Sequence, residues 1–238
     1  MLNLLDRKVW KGAILVDKSF RRADCWYHEV CNADVDCNMC IRFQEMQYLM
    51  ENSNLPKSKQ KPINLNAPIC DLDAFAELAD IKAHIREFVE DGNNLYITSE
   101  NTGNGKTSWA IKLLLKYFDE IWAGNGFNVR GVFVHVPTFL IKSKDFKNND
   151  REFEELKKRI LVADLVVWDD IASTNITSYD YSQLLAFIDA RTLNDLSNIF
   201  TGNCPTKEAL TENVGDRLSS RVWGNNTRVV TFKGGDQR

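Results

Sequence analysis

The stretch that leaves this chain the fewest options runs from Asn93 to Phe118, NNLYITSENTGNGKTSWAIKLLLKYF. Leu95-Tyr96-Ile97-Thr98 is a short apolar, β-favouring run. Gly103 and Gly105 follow, and then Trp109, Ile111, Leu114, Leu115 and Phe118 recur at helical spacing. Strand, glycine loop and helix in that order form a phosphate cradle: glycines let successive N–H groups curl around an anion, and the helix N-terminus adds partial positive charge. Thr102, Gly103, Asn104, Gly105, Lys106, Thr107 and Ser108 are the candidate ATP-binding residues, with Lys106 reaching the β- and γ-phosphates and Thr107 offering its hydroxyl to Mg²⁺. The usual pattern is G-x-x-x-x-G-K-[ST], and here Glu100 stands where the first glycine belongs. Glu100 counts against a strict match, since a carboxylate beside the phosphates would repel them; it is tolerated where it points outward from the strand end. A glycine-rich turn with a chance lysine reads the same in isolation, and the rest of the chain has to separate the two.

A second apolar strand supplies the separation. In ADLVVWDDIAS, Leu165–Trp168 reads as a buried strand that delivers Asp169 and Asp170 at its end. This is a Walker B arrangement, in which Asp169 would hold Mg²⁺ through water and Asp170 would orient or deprotonate the attacking water. Many related ATPases carry glutamate at the second place; aspartate is one methylene shorter, which points to slow hydrolysis. Asn203 closes the strand Asn198–Thr201, where a polar residue can contact the γ-phosphate or the water. Arg217 and Arg221 are four apart and share one helix face, as candidate fingers for a neighbouring subunit's nucleotide or as a solvent-facing pair. Around these pieces the chain reads as helix over LDAFAELADIKAHIREFVEDG, strand at GVFVHVP, helices from Pro137 and over DREFEELKKRILV, and a terminal strand from Arg228.

The chain has 238 residues and a net charge of -3, so it does not coat nucleic acid by bulk charge. No apolar run approaches the roughly 20 residues of a membrane span. The N-terminus lacks the ordered parts of a secretion signal, and a cytoplasmic protein is expected. Four of the six cysteines fall in CWYHEVCNADVDCNMC. Clustered cysteines in a reducing compartment favour metal over disulfides. Cys25, Cys31, Cys37 and Cys40 are the first choice as Zn²⁺ ligands, with His28 replacing Cys31 as the alternative; an iron–sulfur cluster and a set of free buried thiols are the other readings. The role would be structural. The helix-like IRFQEMQYLMEN packs on this module or docks a partner, and NSNLPKSKQKPINLNAP reads as an exposed linker. The expected organisation is a cysteine-rich module over 1–51, a linker over 52–66 and an ATPase domain over 67–238.

Gly103–Thr107, Val166–Asp170, Ile199–Asn203 and Gly215–Arg221 resemble, in order and spacing, the AAA+ ATPases of the DnaC/DnaI group, bacterial and phage replicative helicase loaders with the transposition ATPase IstB as a relative. The resemblance covers roughly 67–238. It implies an α/β fold: an AAA+ core of parallel sheet flanked by helices, without a full lid, after a small metal-binding domain. It implies an ATPase that binds a hexameric replicative helicase through its N-terminal part, self-associates in an arc, ring or spiral, and places the helicase on single-stranded DNA. In such proteins Arg221 would be the arginine finger, Arg217 its neighbour, and Arg238 a sensor 2 residue on the nucleotide. Compact size prompts a phage or prophage version. DNA contacts in loader-like proteins fall where this chain has Phe146 among Lys142, Lys144 and Lys147, and Thr177, Tyr179 and Tyr181 after Walker B. The tyrosines and Phe146 could equally pack against their own helices. Rival readings are an IstB-like ATPase on duplex DNA and a non-hydrolysing nucleotide-binding zinc adaptor. A small-molecule P-loop kinase fits less well, since neither an arginine-bearing lid nor an acceptor site stands out.

Overall fold

The strands fall where the apolar runs placed them. The computed structural model describes residues 22, 25–28, 31, 36–144, 150–172, 177–224 and 226–236. Within them β1 (Asn94–Ser99), β2 (Gly131–His135), β3 (Leu165–Asp169), β4 (Ser197–Gly202) and β5 (Thr227–Phe232) form one parallel sheet in the order β2-β3-β4-β1-β5. The inner strands β3 and β4 are buried at every position, as expected of parallel strands covered on both faces. The edge strand β5 is only partly covered, with Val230 and Phe232 buried and Arg228 and Thr231 exposed.

The two-residue period of the strands divides the interior into two cores. Leu95, Ile97, Val167 and Ile199 face one, under α1 (Ile41–Asn52), α2 (Leu72–Ala83), α3 (Ile85–Glu90) and α4 (Lys106–Ile121). Tyr96, Val166, Trp168 and Phe200 face the other, under α5 (Val136–Lys144), α6 (Arg151–Val162), α7 (Ser178–Thr192), α8 (Lys207–Val214) and α9 (Asp216–Val222). The helix expected over residues 72–92 is split at His84, whose ring Nδ1 lies 3.0 Å from the Asp80 carbonyl and whose backbone leaves the helical region. None of the helices among the described residues is long and apolar enough to cross a membrane.

Helix α1 packs on the sheet's core rather than standing apart: Met46, Leu49 and Met50 belong to the same buried cluster as Leu113 and Tyr117 of α4. The stretch after it, expected to be exposed, is fastened at its start. Ser53 and Leu55 are buried. The Phe133 amide donates to the Ser53 carbonyl at 2.7 Å, and Asn54 Nδ2 donates to the Phe133 carbonyl at 2.9 Å. These bonds cover the otherwise open edge of β2. Arg159 holds the Asn52 carbonyl at the end of α1 (2.8 Å), Tyr27 and Arg42 both bond Asp119 of α4 (2.6 and 2.7 Å), and Trp26 Nε1 donates to the Gln60 carbonyl. Lys57, Lys59 and Lys61 are exposed.

Candidate phosphate-binding site

Parallel pairing brings the C-terminal ends of β1, β4 and β3 side by side, with β4 between the other two. Crevices at that edge are where open α/β sheets bind ligands. The chain leaves β1 at Ser99 and turns through residues 100–105 into α4. Gly103 and Gly105 take φ of 74° and 92°, a region that costs side chains dearly and glycine little. Glu100 is exposed at the strand end, while Asn104 is 1% and Lys106 8% exposed. The Lys106 ammonium donates to the Asn101 carbonyl (2.8 Å) and to Asn104 Oδ1 (3.0 Å), so it is held within its own loop. Burial lowers its pKa, against the opposing pull of Asp170 and Asp169. A partly desolvated cation at a helix N-terminus is suited to a polyphosphate.

Asp169 stands across from it. Its Oδ1 accepts from Thr107 Oγ1 at 2.7 Å and from Thr201 Oγ1 at 2.8 Å. Burial raises its pKa above the ordinary aspartate value, and these two hydroxyls counter only part of that. Asp170 follows with φ of 65°, a turn fixed by donation of its amide to Thr201 Oγ1 (2.9 Å). Thr201 therefore orders both acids. Nothing in the sequence marked it beyond its place two residues before Asn203. The sequence pattern also did not show that His135 ends β2 opposite Asp169. Asn203 is half-buried just beyond β4, between the loop strand and the acid strand. Thr102 is exposed; Thr107 and Ser108 are half-buried in the first turn of α4.

The remaining candidates divide. Arg217 and Arg221 lie one turn apart on α9 and both face Asp189 of α7, at 3.9 and 2.6 Å. Thr177 caps α7 in a reciprocal capping box: its Oγ1 accepts from the Asp180 amide at 3.3 Å, and Asp180 Oδ2 accepts from the Thr177 amide at 3.0 Å. The Tyr179 hydroxyl donates to the Ser143 carbonyl at 3.0 Å, which ties α7 to α5. Tyr181 lies against Gly215. Phe146, Lys147 and Arg238 lie outside the described residues. Among the described residues no group of three or more His, Cys, Asp and Glu side chains is gathered to hold a metal ion, so the geometry gives the expected zinc at Cys25, Cys31, Cys37 and Cys40 no support. Burial raises the Cys25 pKa, with smaller contributions from Cys37, Cys40 and Cys31. His28 is exposed, with Nδ1 3.1 Å from the Arg22 carbonyl. A groove of about 320 Å³ between Trp26, Met46, Ile63 and Leu115 involves none of the phosphate-loop residues.

No family model matches the chain, and no curated protein matches it in sequence. Solved structures do. The DnaC helicase loader superposes with a TM-score of 0.58 at 19% identity, over 79% of this chain and 99% of that one. DnaI gives 0.58 at 15% identity, over 77% and 94%. AMPPCP-bound DnaA from Aquifex aeolicus gives 0.54 at 14% identity, over 73% of this chain and 50% of that one. Identities this low speak to fold alone, and the fold is plain: the chain shares the α/β fold, a parallel sheet flanked by helices, of the DnaC and DnaI helicase loaders and of DnaA.

Proposed function

We propose that this chain is an ATP-dependent loader that binds a replicative DNA helicase and helps to place it on single-stranded DNA at the start of replication. One observation carries the reading. Lys106 and Thr107 face Asp169 at the C-terminal edge of a sheet whose fold matches the DnaC helicase loader over 99% of that chain. The residues present also fit Mg²⁺: a buried carboxylate already shared with a threonine hydroxyl is a hard oxygen donor set. When bound, Mg²⁺ would neutralise charge on the β- and γ-phosphates.

The chain's own residues account for the remaining roles. The loop amides and Lys106 bind the phosphates. Asp170, which follows Asp169 on a left-handed backbone, orients the attacking water, and Asn203 lies between the two strand ends to sense the γ-phosphate. Arg221 would act on a neighbouring copy's nucleotide, which requires it to leave Asp189. Side-by-side AAA+ cores would form the open assembly that carries the helicase, and the cysteine-bearing N-terminal part would grip it.

The test is light scattering on a sizing column, with the full chain, a bacterial replicative helicase, and ATP present or absent. Removing residues 1–66 would strip α1 from the core, so Lys106→Ala and a Cys37→Ser/Cys40→Ser pair are the better comparisons. The expected result is an ATP-dependent complex that Lys106→Ala loses through lost nucleotide binding while remaining folded. Undiminished nucleotide affinity in Lys106→Ala would overturn the assignment of the loop. Failure to bind any bacterial replicative helicase, with duplex DNA bound instead, would move the protein to the transposition ATPases.

A further inference from the structure

We propose that Asp71 and Gly234 are positioning residues of the phosphate loop, acting through Asn101 and Asn104. The inference rests on the reading of that loop as the ATP site.

Asp71 begins α2 and occupies its N-cap place. An aspartate there ordinarily accepts from the second or third amide of its own helix. Asp71 makes no such bond. Its carboxylate, 2% exposed, reaches the segment beyond β5 instead: Oδ1 accepts from the Lys233 amide at 2.6 Å, and both oxygens accept from the Gly234 amide at 3.2 Å. A buried carboxylate is costly to desolvate unless its hydrogen bonds are made, and charge-assisted bonds from backbone amides are among the stronger ones.

Gly234 is where the two segments come closest. A Cβ at this position would lie 2.6 Å from Asp71 Oδ2 and 3.5 Å from Cys70 Sγ, so only glycine allows the approach. Its carbonyl then faces the phosphate loop and accepts from Asn101 Nδ2 at 3.3 Å and Asn104 Nδ2 at 3.5 Å. The same two asparagines present Asn101 O and Asn104 Oδ1 to the Lys106 ammonium. Asn104 also donates to Ser99 Oγ at the end of β1. A continuous line of contacts thus runs from a buried carboxylate in α2, across the chain beyond β5, to the loop lysine. Restraining a phosphate loop in advance lowers the cost of ordering it when the anion arrives, which acts on affinity more than on the chemical step.

Full-length Asp71→Asn, Gly234→Ala and the double variant test this, with a fluorescent ATP analogue for affinity and steady-state ATP turnover. Asp71 makes no capping bond to α2, so Asp71→Asn leaves the start of that helix as it is while removing the charge. Each single variant should weaken nucleotide binding on the order of tenfold, with turnover at saturating ATP retained. The double variant should be no weaker than the worse single, because both act on one line of contacts. Wild-type affinity in both singles overturns the proposal, as does full additivity. Absence of nucleotide binding in the wild type is a different failure, that of the ATP site itself. Should Asp71→Asn not fold, hydrogen exchange of the 101–106 amides in Gly234→Ala decides: faster exchange supports the proposal and unchanged protection overturns it.

Discussion

Arg191 offers the sharpest test of how the sheet is held. It is 0% exposed at the end of α7, beside the N-terminal ends of β3 and β4, whose other ends carry Asp169 and lead to Asn203. Its guanidinium donates to Asn198 Oδ1 (2.8 Å) and to the carbonyls of Ile160 (2.6 Å), Ala163 (2.7 Å), Asp164 (3.2 Å) and Ser197 (2.6 Å). Burial pushes its pKa down to about 9, with Asp164 opposing, so it is charged at neutral pH. Arg191→Ala would strand several of these acceptors. Asn198 Oδ1 keeps the Trp168 indole, the Asp164 carbonyl keeps the Ser197 amide, and the Ser197 carbonyl stays within the β3–β4 ladder. Ile160 and Ala163, at the end of α6, are left without the arginine. At about 1–3 kcal/mol for each buried acceptor left unpaired, two of them amount to roughly 2–6 kcal/mol. Lost packing of the arginine stem adds to that, and water entering the space returns part of it. The working figure is a loss of about 3–5 kcal/mol, or roughly 6–20 °C in melting temperature for a chain of this size. Urea titration followed by circular dichroism measures it, with Arg191→Lys falling between, since an ammonium has three donors against five. A loss below about 1 kcal/mol in Arg191→Ala would refute the argument that this side chain clamps α6, α7 and the two strands together.

Three further outcomes are expected. The raised pKa of Asp169 means that the folded state holds its proton more tightly than the unfolded chain. That contribution to stability is full below the ordinary aspartate pKa and is lost as pH rises through the elevated one. Without Mg²⁺, Asp169→Asn should therefore melt higher than wild type at pH 7, with the gap closing on acidification, while Mg²⁺-dependent turnover disappears; a lower melting point at every pH would contradict it. Thr177→Ala removes the cap of α7 and should cost about 1 kcal/mol, measurable by thermal melting, and if Thr177 serves only as a cap, affinity for a labelled oligothymidine is unchanged. Metal analysis addresses the cysteines: the four-thiolate reading expects one zinc per chain, lost in Cys37→Ser/Cys40→Ser, and metal-free protein with unchanged melting in that variant retires it.

Much of this architecture was legible because it is written locally. The unbroken apolar run Leu165–Trp168 and the helical spacing after Lys106 are properties of neighbouring residues, and the candidate phosphate loop is a contiguous stretch whose Gly103 and Gly105 take positive φ. Element order then settled much of the topology, since parallel strands joined by helices have few right-handed arrangements. The residues that fell outside that reading act at long range. Arg191 looked like any polar residue late in a helix until α6, β3 and β4 closed around it. Thr201 was an ordinary strand threonine until β3 brought two acids to its hydroxyl. Asp71 and Gly234 are 163 positions apart and meet only in the folded chain.

The sequence by itself determined the strand–loop–helix unit, the acid-bearing strand and the run of elements between them, because backbone geometry and periodic burial act over a few residues. Tertiary structure alone decided which polar groups are buried together, that α1 completes the core beneath the sheet, and what holds Lys106 and Asp169 in place. Those outcomes depend on desolvating groups far apart in the chain against each other, and no local pattern records such pairings.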